Sequence, residues 1–266
     1  MERNKEIMDL NLKNKNVLIT GASKGIGLAC AKEFAAEGCN LHLVSRTEKD
    51  LLTAKNQIRT KNNVDITIYP LDLSRSSDVG TLAKKCSNID ILINNAGAIP
   101  AGNIEAIDEH TWREAWDLKV FGYINMTRRF YPLIKDNGGG VIMNVIGLAG
   151  VRVDRNYIAG SAGNASIIGF TNAMGAHALD EGMRVLGVCP GAVQTERITT
   201  MLKTRAKDEK GDENRWQDYF SGMPLNRPAF VEEVADVVVF LCSDRASWLT
   251  GTTINLDGGV ANRGGY

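Results

Sequence analysis

The sequence is most informative at one glycine-rich run, Thr20-Gly21-Ala22-Ser23-Lys24-Gly25-Ile26-Gly27. The apolar residues before it, 16–20, predict a strand, and the residues after it, 25–37, predict a helix. Glycines at such a junction allow a tight turn and a close approach of the backbone, and the start of the helix offers free N–H groups and a positive dipole end. This strand–turn–helix setting predicts a loop that binds the pyrophosphate of a dinucleotide; the alternative is an ordinary glycine turn.

On both sides of this loop, short apolar runs alternate with longer stretches of helical pattern, which is typical of βαβ units and a parallel sheet. The predicted strands span residues 16–20, 40–45, 65–70, 89–94, 141–145, 184–189 and 253–256. The predicted helices span residues 25–37, 48–60, 77–86, 108–134, 156–179 and 231–243. Several strands are nearly continuous apolar runs, as expected when helices cover both faces of a sheet. The sequence therefore predicts an α/β fold, namely a doubly wound (Rossmann) seven-stranded parallel sheet with helices on both faces.

The chain length of 266 residues is consistent with one dinucleotide-binding domain over residues 1–266. The alternation breaks at residues 195–226, which are charged and contain no strand pattern. Such a segment predicts a lid or a disordered loop. Within it, Trp216, Tyr219 and Phe220 would come together on a short helix, where they would either cap an apolar substrate or dock the lid on the core.

Composition and charge exclude several classes of function. Lys+Arg and Asp+Glu each number 31, so the formal net charge is zero and predicts no basic surface for nucleic acid or an anionic membrane. Five cysteines without CxxC spacing, and only three histidines, predict reduced thiols and no metal site. Residues 1–16 are polar, and no stretch approaches the roughly 20 apolar residues of a membrane span. We therefore expect a cytoplasmic protein that acts on a small molecule and has no nucleic-acid or membrane partner.

The glycine spacing is Gly-x-x-x-Gly-x-Gly, and it resembles the fingerprint of the short-chain dehydrogenase/reductase family. Further motifs follow in that family's order: Asp72-Leu73, Asn94-Asn95-Ala96-Gly97, Pro190-Gly191-Ala192-Val193-Gln194-Thr195 and Asp257-Gly258-Gly259. The resemblance implies contacts with a nicotinamide dinucleotide from Gly21, Ser23, Lys24, Gly25, Ile26, Gly27, Ser45, Arg46, Asp72, Leu73, Asn95, Ala96, Gly97, Pro190, Gly191, Val193 and Thr195. It also implies a homodimer or homotetramer formed through the long helix.

The end of the second predicted strand bears on the choice of cofactor. An acidic residue there would bind the ribose 2′-hydroxyl of NAD, but the sequence reads Ser45-Arg46. Arg46 and Lys24 could both hold a 2′-phosphate by charge-assisted hydrogen bonds. The sequence therefore favours NADP(H) over NAD(H); the alternative is that both cations are merely solvated.

The chain departs from the family pattern at the catalytic positions. The resemblance implies a Ser, a Tyr and a Lys, with an Asn on the preceding long helix. Gly147 stands at the Ser position, Gly160 at the Tyr position and Asn164 at the Lys position, while Lys119 takes the place of the Asn. Lysine and asparagine are thus exchanged between the two helices.

Tyr157 is the tyrosine that remains nearby, and it leads to an active-site hypothesis. If the segment is helical, Tyr157, Ser161 and Asn164 share one face. Tyr157 would then be the proton donor, Lys119 would stabilise its phenolate from the opposite helix, and Asn164 and Ser161 would support it by hydrogen bonds. A competing alignment places the Tyr-x-x-x-Lys motif on residues 157–161 with Ser161 replacing the lysine, but it needs an insertion within a helix. In a third interpretation Tyr157 only packs at the helix entry and Lys119 is an ordinary surface or interface lysine.

Three functions remain open at this point. The first is an NADP(H)-dependent oxidoreductase that transfers a hydride between nicotinamide and a carbonyl/alcohol substrate. The second is a catalytically weakened nucleotide-binding protein that acts as a sensor, scaffold or partner subunit. The third is a lyase or isomerase on the same fold, because a fold does not fix a function.

Overall fold

The computed structural model describes residues 8–263 of the chain, so residues 1–7 of the polar start lie outside the described part. Its centre is a seven-stranded sheet in which all neighbouring strands are parallel and the order is β3-β2-β1-β4-β5-β6-β7. The strands are β1 (Asn16–Thr20), β2 (Asn40–Ser45), β3 (Ile66–Pro70), β4 (Ile91–Asn94), β5 (Gly140–Val145), β6 (Met183–Pro190) and β7 (Thr252–Leu256). The doubly wound parallel sheet predicted from the sequence is therefore confirmed.

Helices cover both faces of this sheet. They are α1 (Gly25–Ala36), α2 (Glu48–Arg59), α3 (Ser76–Lys85), α4 (Glu109–Trp116), α5 (Gly122–Asp136), α6 (Ile158–Gly175), α7 (Glu196–Lys210) and α8 (Val231–Cys242). The alternation of side chains along a strand divides the core, since Ile19 of β1 packs with Phe34 of α1, whereas its neighbour Leu18 packs with Phe130 of α5. Both strand residues are fully buried, which explains the continuous apolar runs in the sequence.

The prediction of a single long helix over residues 108–134 is wrong in one respect. Between α4 and α5 the chain forms a π-helical turn, Asp117–Phe121. A π turn takes one more residue per turn than an α-helix and occurs often at functional sites. Here it contains Lys119, which it directs into the protein interior.

The segment over residues 195–226 is helical rather than a disordered loop. Thr195 caps α7 through its hydroxyl, which accepts from the N–H of Ile198 at 3.4 Å. The helix ends at Gly211, whose φ of +72° is left-handed, as is common after a helix C-terminus. The short 3₁₀ helices Glu213–Gly222 and Pro224–Asn226 follow. Further 3₁₀ turns lie at Leu148–Gly150, Ala178–Glu181, Asp244–Ala246 and Val260–Asn262.

Three features of the described residues bear on the other sequence predictions. None of the helices within residues 8–263 is long and apolar enough to cross a membrane. In the same range, no group of three or more His, Cys, Asp or Glu side chains is placed to hold a metal ion. Each of the five cysteines is free and buried.

Candidate active site

The glycine-rich run forms the turn between β1 and α1, at the carboxyl edge of the sheet and next to the point where the strand order reverses. In doubly wound sheets, ligands bind in the crevice at this point. Gly21 has a φ of +64°, a conformation that costs glycine little. A Cβ on Gly27 would lie 2.3 Å from the carbonyl oxygen of Gly21, so the turn accepts no larger residue there. The first-turn N–H groups of α1 lack helical acceptors, and this is the arrangement that binds a phosphate.

Asn95 and Ala96, which follow β4, are fastened to this turn. Both backbone N–H groups donate to Oγ1 of Thr20, at 2.8 and 3.0 Å. The Asn95 side chain also donates through Nδ2 to the carbonyl oxygen of Thr20, at 3.0 Å. The structure thus brings together the predicted cofactor residues of the β1 and β4 ends, and the Asn95 side chain serves to hold the phosphate loop in shape.

The predicted adenosine end of the site lies at the carboxyl end of β2. Arg46 is exposed, and the buried Oγ of Ser45 has no hydrogen-bond partner within residues 8–263. Lys24 forms an exposed ion pair with Glu196 of α7, with 2.9 Å between Nζ and Oε2. Asp72 caps the start of its own loop, because Oδ1 accepts from the backbone N–H and the hydroxyl of Ser74. These residues surround one edge of the crevice, and no carboxylate follows Ser45 directly.

The predicted nicotinamide end lies where β6 leaves the sheet. The N–H of Gly191 donates to the carbonyl oxygen of Leu256 in β7 at 3.0 Å, and Val193 pairs with Ala229 in an isolated bridge. Thr195 then begins α7. The Pro190–Thr195 segment is therefore held from both sides as it crosses the carboxyl edge of the sheet.

A chain of buried polar side chains supports the floor of the site, and the sequence analysis missed it. Asn94 donates through Nδ2 to Oδ1 of Asn144 at 2.9 Å, and Asn144 donates in turn to Oγ1 of Thr171 at 2.9 Å. All three residues are buried, and Oδ1 of Asn94 has no partner among the described residues. Polar residues that end the apolar strands β4 and β5 were the available signal, since buried amides need partners.

The Tyr157 ring fills the space beside Gly160, the position at which the motif resemblance implies a tyrosine. A Cβ on Gly160 would lie 2.1 Å from two carbon atoms of the Tyr157 ring, so the ring occupies the room of a side chain at residue 160. The ring also packs with an apolar cluster that contains Ile99 and Trp116. The Tyr157 hydroxyl accepts a hydrogen bond from Nη2 of Arg197 at 3.2 Å.

Lys119 is buried, and its hydrogen bonds run to groups other than Tyr157. Nζ donates to the Tyr123 hydroxyl at 2.7 Å and to the carbonyl oxygens of Val145 and Ile146 at 2.7 and 3.2 Å. An ammonium group has three N–H donors, so these acceptors use all of them. The predicted support of the Tyr157 hydroxyl by Lys119 is therefore not observed, because Tyr123, one helical turn away, and the end of β5 take its place.

The surroundings of Lys119 also change its protonation. Burial and, to a smaller extent, the positive charge of Arg197 lower the pKa of Lys119 from 10.5 to about 7. Burial raises the pKa of Tyr123 well above its ordinary value, so this phenol remains neutral. Its hydroxyl donates to the Val145 carbonyl oxygen at 2.8 Å. At neutral pH, Lys119 is consequently a buried group close to its own titration midpoint.

The helical arrangement assumed for Tyr157, Ser161 and Asn164 does not include Tyr157, which precedes α6 with φ −136° and ψ 43°, outside the helical region. Oγ of Ser161 accepts from the N–H of Asp154 at 3.0 Å, so it holds the preceding loop instead of the reacting centre. The Asn164 amide lies beside Gly147, with Nδ2 3.1 Å from the position of a Cβ there. Its Oδ1 is buried without a partner in the described part of the chain.

Arg197 is another residue of the site that sequence reasoning missed. It lies in the first turn of α7, two residues after Thr195, and Nη2 donates to the carbonyl oxygen of Ile99 as well as to Tyr157. The sequence contained no signal for this contact, because it joins residues far apart in the chain. Arg197 thus connects the predicted lid to the loop after β4.

Two of the three lid aromatics come together. The ring centroids of Trp216 and Phe220 are 5.3 Å apart in an edge-to-face arrangement. Tyr219 instead lies beside the cationic groups of Arg205 and Lys210. The predicted cluster of three is therefore a pair.

Comparison with known proteins agrees with this architecture. A family model described as enoyl-(acyl carrier protein) reductase matches residues 21–261. The chain is 32% identical over 253 residues to a protein called an uncharacterized oxidoreductase from Thermotoga maritima, covering 94% of this chain and 98% of that protein. It is 30% identical over 261 residues to 3-oxoacyl-(acyl-carrier-protein) reductase FabG from Chlamydia muridarum, covering 96% and 100%. The solved structure of L-sorbose reductase from Gluconobacter frateurii with NADPH and L-sorbose superposes with a TM-score of 0.89 at 28% identity, covering 96% of this chain and 100% of that one.

The fold, the phosphate loop and these similarities define one class of protein: the chain belongs to the short-chain dehydrogenase/reductase family. Within that family it is an NAD(P)-dependent oxidoreductase. It carries glycine at the two positions, 147 and 160, where the motif resemblance implies serine and tyrosine.

Proposed function

We propose that this protein is an NADP(H)-dependent oxidoreductase that interconverts a carbonyl compound and its alcohol, with Tyr157 as the group that gives and takes the hydroxyl proton. The observation that carries this proposal is the position of the Tyr157 ring in the room beside Gly160. A phenol there provides the acid that carbonyl reduction requires.

The residues present fit a dinucleotide. The Gly21–Gly27 turn is a cradle that a Cβ on Gly27 would fill, and the orphaned, buried Oδ1 of Asn164 is an acceptor suited to a ribose hydroxyl. Arg46 and Lys24, without a carboxylate directly after Ser45, favour a 2′-phosphate over a free 2′-hydroxyl. When bound, the cofactor supplies or accepts the hydride, and the protein supplies position and proton transfer.

In this proposal each side chain has a separate task. Tyr157 donates its proton to the carbonyl oxygen, and Arg197 holds the phenol oxygen through the 3.2 Å hydrogen bond from Nη2. The Asn164 amide, beside Gly147, orients the ribose or the carbonyl group. Lys119 acts indirectly, because its N–H groups fix the end of β5 and not the substrate.

The second candidate function is a nucleotide-binding protein with weak redox activity, which would act as a sensor, scaffold or partner subunit. The observation that favours it is the use of all three Lys119 donors inside the protein. The chain would then retain the cofactor-binding motifs of the family without its catalytic residues.

One experiment separates the two candidates. NADPH and NADH binding is titrated by cofactor fluorescence, and the oxidation of bound NADPH is followed with a panel of carbonyl compounds. The variants are Tyr157→Phe and, as the matched control, Tyr131→Phe, because Tyr131 lies on α5 and its hydroxyl contacts Glu181. We expect turnover that Tyr157→Phe lowers by about 10²–10⁴ and Tyr131→Phe leaves unchanged, with NADPH bound more tightly than NADH. Tight NADPH binding and undiminished turnover in Tyr157→Phe would contradict this role of Tyr157.

The oligomeric state belongs to the same proposal. We expect a homodimer or homotetramer, and sedimentation velocity measures it directly. A purely monomeric protein would contradict this part.

A further inference from the structure

The Arg197 guanidinium has unused hydrogen-bond donors next to the proposed reacting centre. Its Nη2 group serves the carbonyl oxygen of Ile99 and the hydroxyl of Tyr157. Neither Nη1 nor Nε has an acceptor among residues 8–263. Arginine carries five N–H donors, so three of them remain for a ligand.

The same region has positive charge without a counter-charge. Lys119 and Arg197 take part in none of the ion pairs within the described residues. Arg197 is close enough to disfavour the charged form of buried Lys119. The neighbouring acid on α7, Glu196, is already engaged by Lys24. An anion bound at Arg197 would relieve this repulsion.

We propose that Arg197 binds a carboxylate of the substrate, and that the substrate is a 2-oxo or 3-oxo acid or the corresponding hydroxy acid. This inference rests on the proposed function and names its substrate class. It adds a second recognised group to the carbonyl held by Tyr157.

The distance between the two protein groups sets the spacing on the substrate. Nη2 of Arg197 lies 3.2 Å from the Tyr157 hydroxyl, and the free donors Nη1 and Nε belong to the same planar guanidinium group. Each hydrogen bond to a ligand oxygen spans about 2.7–3.2 Å. A carbonyl oxygen on Tyr157 and a carboxylate oxygen on the adjacent guanidinium are therefore only a few ångströms apart. Such a separation occurs when the carboxylate is attached to the carbonyl carbon or to the next carbon along.

The reaction balances without a further reactant. On reduction, the carbonyl carbon gains a hydride from the reduced cofactor, and the carbonyl oxygen gains the proton of the Tyr157 phenol. The C=O π bond, the C–H bond that held the hydride on the reduced cofactor and the phenolic O–H bond of Tyr157 are lost, and one C–H and one O–H bond form on the substrate. Solvent returns a proton to Tyr157, and the carboxylate keeps its charge on Arg197 throughout.

The first test measures binding without turnover. Malonate and oxamate are unreactive analogues of a 3-oxo and a 2-oxo acid, and malonamide and oxamide are their neutral counterparts. Calorimetric titration into the wild-type protein, with and without saturating NADPH, should show binding of at least one anion at least tenfold tighter than of its diamide. Arg197→Met should remove that preference, and Arg197→Lys should keep part of it.

Lys207→Met is the control, because Lys207 is an exposed cation on the same helix, farther from the site. It should leave the preference unchanged. Circular dichroism and NADPH titration of each variant separate misfolding from loss of the anion site. Equal binding of anion and diamide by the wild type, or undiminished anion binding by Arg197→Met, overturns the assignment of Arg197.

The second test uses turnover with 3-oxobutanoate and its methyl ester. The wild type should prefer the acid in kcat/KM, mainly through KM, and Arg197→Met should not. Equal turnover of acid and ester would overturn this inference and leave the oxidoreductase proposal intact. Failure to bind NADPH would instead overturn the proposed function, while the titrations without cofactor still decide the role of Arg197.

Discussion

The phosphate loop, residues 21–27, and the catalytic region around Tyr157 and Lys119 depend on different parts of the polypeptide. At the loop, recognition is a property of the backbone, and the glycines only have to leave room, as Gly27 does against the carbonyl of Gly21. In the catalytic region the chemistry depends on side chains. The Tyr157 ring occupies the space beside Gly160, although residue 157 itself lies outside the helix. A site formed by the backbone therefore requires particular residues at fixed positions in the sequence. A site formed by side chains requires only that a functional group stands at one point in space, and residues at several sequence positions can place it there.

The largest effect should come from filling the loop. Gly27→Val places carbon atoms where the Gly21 carbonyl stands, so we expect NADPH affinity to fall by roughly a hundredfold or more. Fluorescence titration measures it. The control is Gly80→Ala in α3, where a Cβ meets nothing within 4 Å and should stabilise the helix by about 0.5–1 kcal/mol. Normal NADPH binding by Gly27→Val would mean that the loop is not the phosphate site.

The next largest effect concerns the catalytic region around Tyr157 and not the phosphate loop. Tyr157→Phe should lower kcat by about 10²–10⁴, the usual contribution of a positioned proton donor, and leave NADPH affinity unchanged. Single-turnover kinetics at saturating NADPH measures it. A combined loss of kcat and cofactor affinity would show that Tyr157 also contributes to cofactor binding. Binding and catalysis would then not be separated between the phosphate loop and the region around Tyr157.

Lys119 should make the free energy of unfolding of the protein depend on pH. Its pKa is about 7 in the folded state and 10.5 ordinarily, so the unfolded chain binds more protons between these values. The free energy of unfolding should therefore increase as the pH rises from 7 to 10.5, by up to about 1.4 kcal/mol per pH unit. Below pH 7 both states are protonated and this contribution is constant.

Urea denaturation of the wild type and of Lys119→Met across this pH range isolates the contribution. Exposed Lys84 provides the control variant Lys84→Met, which should follow the wild type. Parallel pH curves for the wild type and Lys119→Met would show that the buried ammonium is not shifted.

A smaller effect is expected at the adenosine end. Arg46→Ala should reduce the preference for NADPH over NADH by about tenfold, the value of one charge-assisted contact. The ratio of the two dissociation constants measures it. An unchanged ratio would mean that Arg46 is only solvated, as its exposure also permits.

The smallest effect should come from the pair between Lys24 and Glu196. This exposed pair occupies Lys24 in the structure, so Glu196→Gln should free the lysine and tighten NADPH binding by a few-fold. NADH affinity should stay constant. Weaker NADPH binding would indicate that the pair holds α7 closed over the cofactor.

The sequence predicted the fold almost completely, because apolar runs at strand spacing and glycines at one turn depend on local order. It predicted the strand β4 for the same reason, but not that the Asn95 side chain donates to the carbonyl oxygen of Thr20. It could not predict that Lys119 bonds Tyr123, because the π turn that redirects the lysine has no local pattern. The contact of Arg197 with Tyr157 joins residues 40 positions apart, and only the packed structure defines it.

The overlap between Tyr157 and residue 160 also limits which residues position 160 can accept. With 2.1 Å between the ring and a Cβ at residue 160, tyrosines at both positions cannot occupy these places together. Any residue with a side chain at position 160 would have to displace the Tyr157 ring from its present place. Glycine at residue 160 is therefore a condition for this placement of the phenol, just as glycine at residue 27 is a condition for the shape of the phosphate loop.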